Sequence, residues 1–243
     1  MKLHPQTKFG FAFHLKYFAG ALALAFSVAT AGAQVGHLPA ESPFVDLEGG
    51  HELTVFAGTF SAARDPVGVA PRGGPIFGLR YEKTVGGPAS LVVRYARVSS
   101  ERFAIDPTRP APASQLGRRD VGLNLLDVNL AVNLTGQKSW HNLVPVVTLG
   151  AGIASCACNV ELDPYRFGTP FAFSLGGGLR YVPGGRFQLR VDVNDYLYQL
   201  KYPNAYFVAP TGGGSPAAEP GQAKSFWKNN PAITLGASYL FFR

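Results

Sequence analysis

Beyond residue 33, apolar and polar residues alternate one by one along most of this chain, and no stretch keeps the stripe of a 3.6-residue helix. Alternation with a period of two puts successive side chains on opposite faces of an extended strand. Residues 184–195, GGRFQLRVDVND, place Phe187, Leu189, Val191 and Val193 on one face and Gln188, Arg190, Asp192 and Asn194 on the other. In 170–182, Phe171, Phe173, Leu175, Leu179 and Tyr181 oppose Ala172, Ser174, Gly176, Gly178 and Arg180. Folding this hairpin about Gly184 is expected to set Arg180 against Gln188, Gly178 against Arg190 and Gly176 against Asp192, which keeps the polar, glycine-rich face on one side of both strands. The pattern recurs in 75–84, where Phe77, Leu79 and Tyr81 oppose Gly78, Arg80 and Glu82, and in 231–242, where Ile233, Leu235, Tyr239 and Phe241 oppose Thr234, Gly236 and Ser238. In the later half of 120–134, Val128, Leu130, Val132 and Leu134 oppose Asp127, Asn129 and Asn133.

Eight strands are predicted, at 51–60, 75–84, 89–98, 120–134, 142–154, 170–182, 186–197 and 231–242. Each is near the roughly 9–11 residues that a tilted strand needs to cross a bilayer. The connections run long (61–74), short (85–88), long (99–119), short (135–141), long (155–169), short (183–185) and long (198–230). Such alternation is the mark of an up-and-down barrel with tight turns at one rim and extended loops at the other. The expected fold is therefore all-β: a transmembrane up-and-down antiparallel β-barrel of about eight strands, with both chain ends on the short-turn side.

The glycine-rich polar face suits a crowded lumen and the bulky apolar face suits lipid. Arg80, Arg94, Arg180 and Arg190 with Glu82, Asp127 and Asp192 would then point inward. Unpaired buried charge is costly, so these side chains are expected to form a salt-bridge network. It would fill the lumen, because eight strands enclose just enough room for their own side chains. Tyr81, Tyr181, Phe187, Tyr239 and Phe241 fall near the short-turn rim or the chain end, and Phe171 and Phe173 near the other rim. Together they read as an aromatic girdle flanking an apolar band.

Residues 1–33 have the form of a secretory signal: Lys2, Lys8 and Lys16 precede an apolar run from Tyr17 to about Val28, and Ala31-Gly32-Ala33 supplies a cleavage site. Residues 34–50 are a polar lead-in without periodicity, and 51–243 form the barrel domain. Part of the net charge of +7 sits in the signal, and the remaining basic residues are scattered, which argues against nucleic acid as a partner. The spacing of Cys156 and Cys158 suits neither a zinc cage nor a redox pair, leaving loop thiols or a local disulfide.

The signal segment, the loop alternation, the glycine-punctuated strands TLGAGIA and SLGGGLRYV, and the closing ITLGASYLFFR resemble the small OmpA/OmpX-like outer-membrane β-barrels of Gram-negative bacteria, over residues 51–243. The resemblance implies residence in the cell outer membrane. It also implies outer-membrane lipids, lipopolysaccharide among them, and the barrel-insertion machinery as partners. Family members end on an aromatic residue that this machinery reads, whereas this chain ends Phe241-Phe242-Arg243.

No residue pattern points to a cofactor or a metal. VVTLGAGIAS (146–155) imitates a dinucleotide fingerprint, but no helical stripe follows it. His37, His51 and His141 lie in the lead-in or at the short-turn rim, far from where a catalytic base would meet outer-leaflet lipid. The expected role is non-enzymatic, structural or surface-interacting. The long loops carry Arg64, Arg72, Arg102, Arg109, Arg118, Arg119, Arg166, Lys224 and Lys228 among Asp65, Glu101, Asp106, Asp120, Glu161 and Asp163, which suits a solvated mixed-charge surface better than a site for lipid phosphates. The alternative from another class is a secreted soluble barrel of lipocalin type, which requires the two faces to be inverted. A charged fraction of 15% is low for a fully wetted exterior. An outer-membrane lipid-modifying enzyme or a small channel stands further back.

Overall fold

The computed structural model describes residues 42–242, so the expected signal segment, residues 34–41 and Arg243 lie outside the described residues. Ten strands are formed: β1 (Phe44–Asp46), β2 (His51–Phe60), β3 (Gly74–Gly86), β4 (Ala89–Ile105), β5 (Gln115–Asn133), β6 (Lys138–Trp140), β7 (Leu143–Cys156), β8 (Phe171–Tyr181), β9 (Phe187–Lys201) and β10 (Ser225–Phe242). Eight of them, all but the short β1 and β6, pair antiparallel with their sequence neighbours, and β10 pairs with both β9 and β2. Leu235, for example, lies opposite Val191 on one side and Ala57 on the other. The ring is closed and leaves no free edge among these eight strands.

Burial follows the predicted alternation. Phe77, Leu79, Val128, Leu130, Leu175, Leu189 and Leu235 are exposed on the outer wall, and Arg80, Glu82, Asp127, Asn129, Ser174, Gln188 and Thr234 are buried inside. A lipocalin-like inversion of the faces is thereby excluded. The interior is layered. At the short-turn end Leu47 packs on Val92, Ala131, Val144 and Val146, and at the long-loop end Phe60, Ile76, Val98, Leu123, Tyr196 and Leu200 belong to a larger apolar cluster. Charged residues occupy the space between.

Three expectations need correction. The β8–β9 hairpin is offset by two residues, with Arg180 opposite Arg190, Gly178 opposite Asp192 and Gly176 opposite Asn194. Gly184 and Gly185 both take positive φ, and pairing resumes only at Tyr181 and Leu189. The intervening backbone bonds to other partners instead, Val182 N–H donating to Asn142 O and Leu240 N–H to Arg186 O. An offset of two preserves the faces, so the inward set is unchanged.

The predicted long connection 99–119 is largely strand, because β4 runs on to Ile105 and β5 starts at Gln115, and 198–230 is strand at both ends, where β9 reaches Lys201 and β10 begins at Ser225. Inward burial continues through Ser100, Arg102 and Ala104. The outward face turns polar at Arg97, which ended the apolar signal in the sequence. The lead-in is also structured in part: β1 pairs with β6 at the short-turn end, and Leu47 closes that mouth of the barrel.

Gly152 shows why small residues punctuate the lumen face. It lies opposite Asp127, and a Cβ there would overlap the Leu126 carbonyl oxygen and the Asp127 Cα. Gly152→Val is expected to cost about 1–3 kcal/mol through overpacking. The check is a lower temperature for loss of the compact band when folded protein is heated before electrophoresis.

Candidate functional site

The strands bring all seven predicted lumen residues inside. Arg80 donates to Glu82, Nη2 to Oε2 at 2.7 Å, and Arg190 holds Asp192 through two bonds of 2.7 and 3.1 Å. Arg94 meets Asp127 at 3.1 Å and lies over the Tyr196 ring, 5.0 Å from its centroid. Asn129 donates to Asp127 and accepts from Ser174 Oγ at 2.5 Å. The corrected hairpin register makes Arg180 and Arg190 direct neighbours, so carboxylates must stand between them. Glu82 does so, at 3.2 Å from Arg180 and 3.4 Å from Arg190.

Sequence reasoning missed the fourth acid. Glu52 on β2 is buried and lies 3.5 Å from Arg190 and 3.7 Å from Arg180. With it the ledger balances at four arginines and four carboxylates; without it one positive charge is left over. Its signal was present in HELTVFAGTF, where Glu52, Thr54 and Phe56 share the inward phase. Inward Thr54 also meets Ser238, its register partner on β10, at 2.8 Å.

A second polar cluster, unpredicted, sits at the long-loop end. Arg102 is fully buried: Nη2 lies 2.7 Å from Asp163 Oδ2, Nε donates to Cys158 O at 2.9 Å, and Nη1 donates to Val69 O at 3.2 Å. Asp163 also accepts from Tyr165 N–H at 2.9 Å and from Tyr206 OH at 2.6 Å. Asp65 accepts from the N–H groups of Gly68, Val69 and Ala70 at 2.9–3.1 Å and from Tyr202 OH at 2.6 Å. These bonds tie the β2–β3, β7–β8 and β9–β10 loops over the mouth. The expectation of a solvated loop surface is therefore wrong for Asp65, Arg102, Asp106, Asp163 and Lys228, which are buried, and holds for exposed residues such as Arg64, Arg109 and Glu161. Local polarity in the sequence could not reveal loops folded inward. Burial pushes the Tyr206 and Tyr202 hydroxyls above the usual tyrosine range, and their bonds to Asp163 and Asp65 push the same way.

Phe171, Phe173, Tyr181, Phe187 and Tyr239 are exposed on the outer wall, and Tyr81 and Phe241 are half-buried. Phe171 and Phe173 stack edge to face at the long-loop rim, and Phe173 packs against Trp227, which the prediction lacked. At the other rim Phe187 packs on Tyr239, and His51 sits among Tyr81 and Phe241. Cys156 and Cys158 form a disulfide. Among the described residues no cluster of His, Cys, Asp and Glu could hold a metal ion.

No family model and no curated protein matches the chain. Among solved structures it is similar to Neisserial surface protein A (NspA), with a TM-score of 0.50, 10% identity and coverage of 79% of this chain and 97% of that one. It is likewise similar to the outer membrane protein OprG from Pseudomonas aeruginosa, with a TM-score of 0.50, 11% identity and coverage of 81% and 99%. At these identities the likeness is one of fold, and it defines the chain as a small eight-stranded antiparallel β-barrel.

Two outcomes test the paired interior. Glu82→Gln leaves three arginines short of a carboxylate and is expected to destabilise the barrel by about 3–5 kcal/mol, against less than about 0.5 kcal/mol for Lys83→Gln on the exposed face; urea unfolding followed by tryptophan fluorescence measures both. Because Tyr202 and Tyr206 have raised pKa values in the folded state, their contribution is complete below the unfolded tyrosine value of about 10 and falls as pH rises past it. Tyrosinate absorbance should show these two hydroxyls ionising only as the loops open, and Tyr206→Phe should shrink the late-ionising fraction.

Proposed function

We propose that this protein is an integral barrel of the bacterial outer membrane, with the short-turn end periplasmic and a non-enzymatic structural or surface-interaction role carried by its outward loops. The observation that carries the proposal is the outer wall itself. Exposed Leu, Val, Ile and Phe side chains ring the barrel between two aromatic rims, while the four arginines and four carboxylates of the lumen network are buried within it. In water that distribution wastes apolar surface and buries charge. In a bilayer each side chain meets its preferred surroundings.

The fold of NspA and OprG supports the same reading, as does the apparent export signal of residues 1–33. The OmpA/OmpX-like kinship proposed from the signal segment, the loop alternation, the glycine-punctuated strands and the closing ITLGASYLFFR is a finer statement of it. A role without conduction is supported by the filled lumen and its two closed mouths, Leu47 at one and the Arg102–Asp163 clamp at the other. A role without catalysis is supported by the histidines. His51 packs against Tyr81 in the aromatic rim, and His141 occupies a tight turn at the short-turn end. Lipopolysaccharide and the insertion machinery are the proposed partners.

Cell fractionation followed by electrophoresis of heated and unheated samples is expected to recover the protein in outer membranes with heat-shifted mobility. Recovery as a soluble periplasmic protein would sink the proposal. Purified protein in planar bilayers is expected to show no discrete conductance steps.

A further inference from the structure

The disulfide between Cys156 and Cys158 closes a loop with only Ala157 inside it. Cross-links stabilise a fold mainly by limiting the freedom of the unfolded chain, and the effect grows with the number of residues enclosed. One this short adds little to the barrel as a whole, so its effect is local. Its spacing is not that of a thiol–disulfide oxidoreductase either.

Locally, the disulfide decides where β7 stops. In an extended strand, residues two apart have Cα atoms about 6.6 Å apart. Those of Cys156 and Cys158 are 5.1 Å apart, so the backbone bends at Ala157. Pairing of β7 with β5 ends at Cys156, opposite Leu123, although β5 itself continues back to Gln115 and offers backbone for a longer β7. The Ala157 N–H reaches Gly122 O only at 3.4 Å. Beyond the bend the chain turns inward: Cys158 is fully buried, and its carbonyl accepts from Arg102 Nε at 2.9 Å. The following residues carry the clamp, since Asp163 Oδ2 lies 2.7 Å from Arg102 Nη2 and Asp163 Oδ1 accepts from Tyr206 OH at 2.6 Å. Just before Asp163, Leu162 has a φ of 66°, a conformation costly for a bulky side chain that persists only when contacts around it hold it.

We propose that the Cys156–Cys158 disulfide is a redox-operated catch for the loop clamp: reduction by a thiol opens the β7–β8 loop and leaves the barrel wall folded. Cys156 is half-buried whereas Cys158 is enclosed, so an incoming thiolate attacks the Cys156 sulfur. The S–S bond breaks, and Cys158 leaves as a thiolate that takes a proton from water. A second thiol then displaces the first from Cys156, so two electrons enter the protein and the two thiols depart as their own disulfide. Freed of the cross-link, the residues after Cys156 extend along β5, which draws the Cys158 carbonyl and Asp163 away from Arg102 and relieves Leu162. The wall below is untouched, because β7 keeps its pairing with β5 and β8. In the orientation proposed above the thiol arrives from outside the cell, but the catch itself rests on the clamp and not on that reading.

The test uses the full chain folded in dodecyl maltoside and digested with trypsin, with and without dithiothreitol. Cleavage of the Arg166–Phe167 bond is the readout, because Tyr165 and Phe167 on either side of Arg166 are buried while the loop is closed. Iodoacetamide followed by intact mass counts the free thiols. Expected are no free thiol before reduction and two after it, cleavage about tenfold faster in the reduced form, and an unchanged heat-shifted band. The Cys156→Ser/Cys158→Ser double variant should be cut at the fast rate with or without dithiothreitol. Asp163→Asn should be cut fast with its disulfide intact, because it opens the clamp directly. Equal cleavage of oxidised and reduced protein overturns the catch, as does a double variant cut at the slow rate. Loss of the heat-shifted band on reduction overturns it too, by making the disulfide a staple for the whole barrel, and so do free thiols before reduction or none after it.

Discussion

Closure of the sheet is the constraint on which the rest of this structure depends. Once β10 pairs with β2, every strand of the ring has two partners, and the enclosed space is only wide enough for side chains. A polar group that points inward must therefore find its partner among the other inward side chains, along its own strand or across the lumen. Glu82 answers Arg80 on its own strand and Arg180 and Arg190 across the lumen, and Glu52 reaches the same two arginines from β2. Such a network adds little net stability over a well-packed apolar filling. What it adds is a penalty for any register that separates the partners. A slip of one residue would expel the arginines onto the apolar wall and draw leucines into the charged layer.

The same alternation explains which features were legible in the sequence. Period-two phasing is a property of each strand alone, so the inward arginines and the outward Phe, Leu and Tyr residues could be read from single segments. Glu52 lay in the phase of such a segment, and only the assignment of faces to β2 was lacking. The hairpin register was not legible to that accuracy, because the phase is identical for offsets of zero and two. The choice was made by Pro183, Gly184 and Gly185, whose turn sends the Val182 N–H to Asn142 O and leaves Arg186 O to accept from Leu240 N–H. Arg180 consequently meets Arg190 rather than Gln188, and the central role of Glu82 follows from that contact.

The long-loop end was least legible, since its order comes from contacts between segments far apart in the chain. Arg102 and Asp163 are separated by 61 positions, and Asp65 and Tyr202 by 137. In the sequence each looks like an ordinary polar loop residue. In the structure each carboxylate accepts several donors at once: Asp163 from Arg102, Ile105, Tyr165 and Tyr206, and Asp65 from three successive backbone N–H groups and a tyrosine hydroxyl. Beneath them Tyr196, Tyr198, Leu200 and Phe167 continue the apolar interior past the aromatic rim. Strands β4, β5, β9 and β10 extend above that rim for the same reason: their inward residues still have a core to face.

The two ends are closed by different means, and the difference locates what remains available for recognition. At the short-turn end Leu47 and Val182 pack on the apolar cluster of Val92, Ala131, Val144 and Val146, and β1 pairs with β6 beside them. At the long-loop end the clamps leave the outermost segments untouched. The tip at 108–113 and the stretch around 211–215, with Gly212, Gly213 and Gly214, project with mostly exposed residues, above loop bases fixed by Asp163 and Asp65. Exposed tips on a rigid base give a barrel accessible surface without loosening its wall. Changes at these tips leave the interior contacts intact, whereas changes at Arg102, Asp163 or Asp65 remove bonds that hold the loop bases.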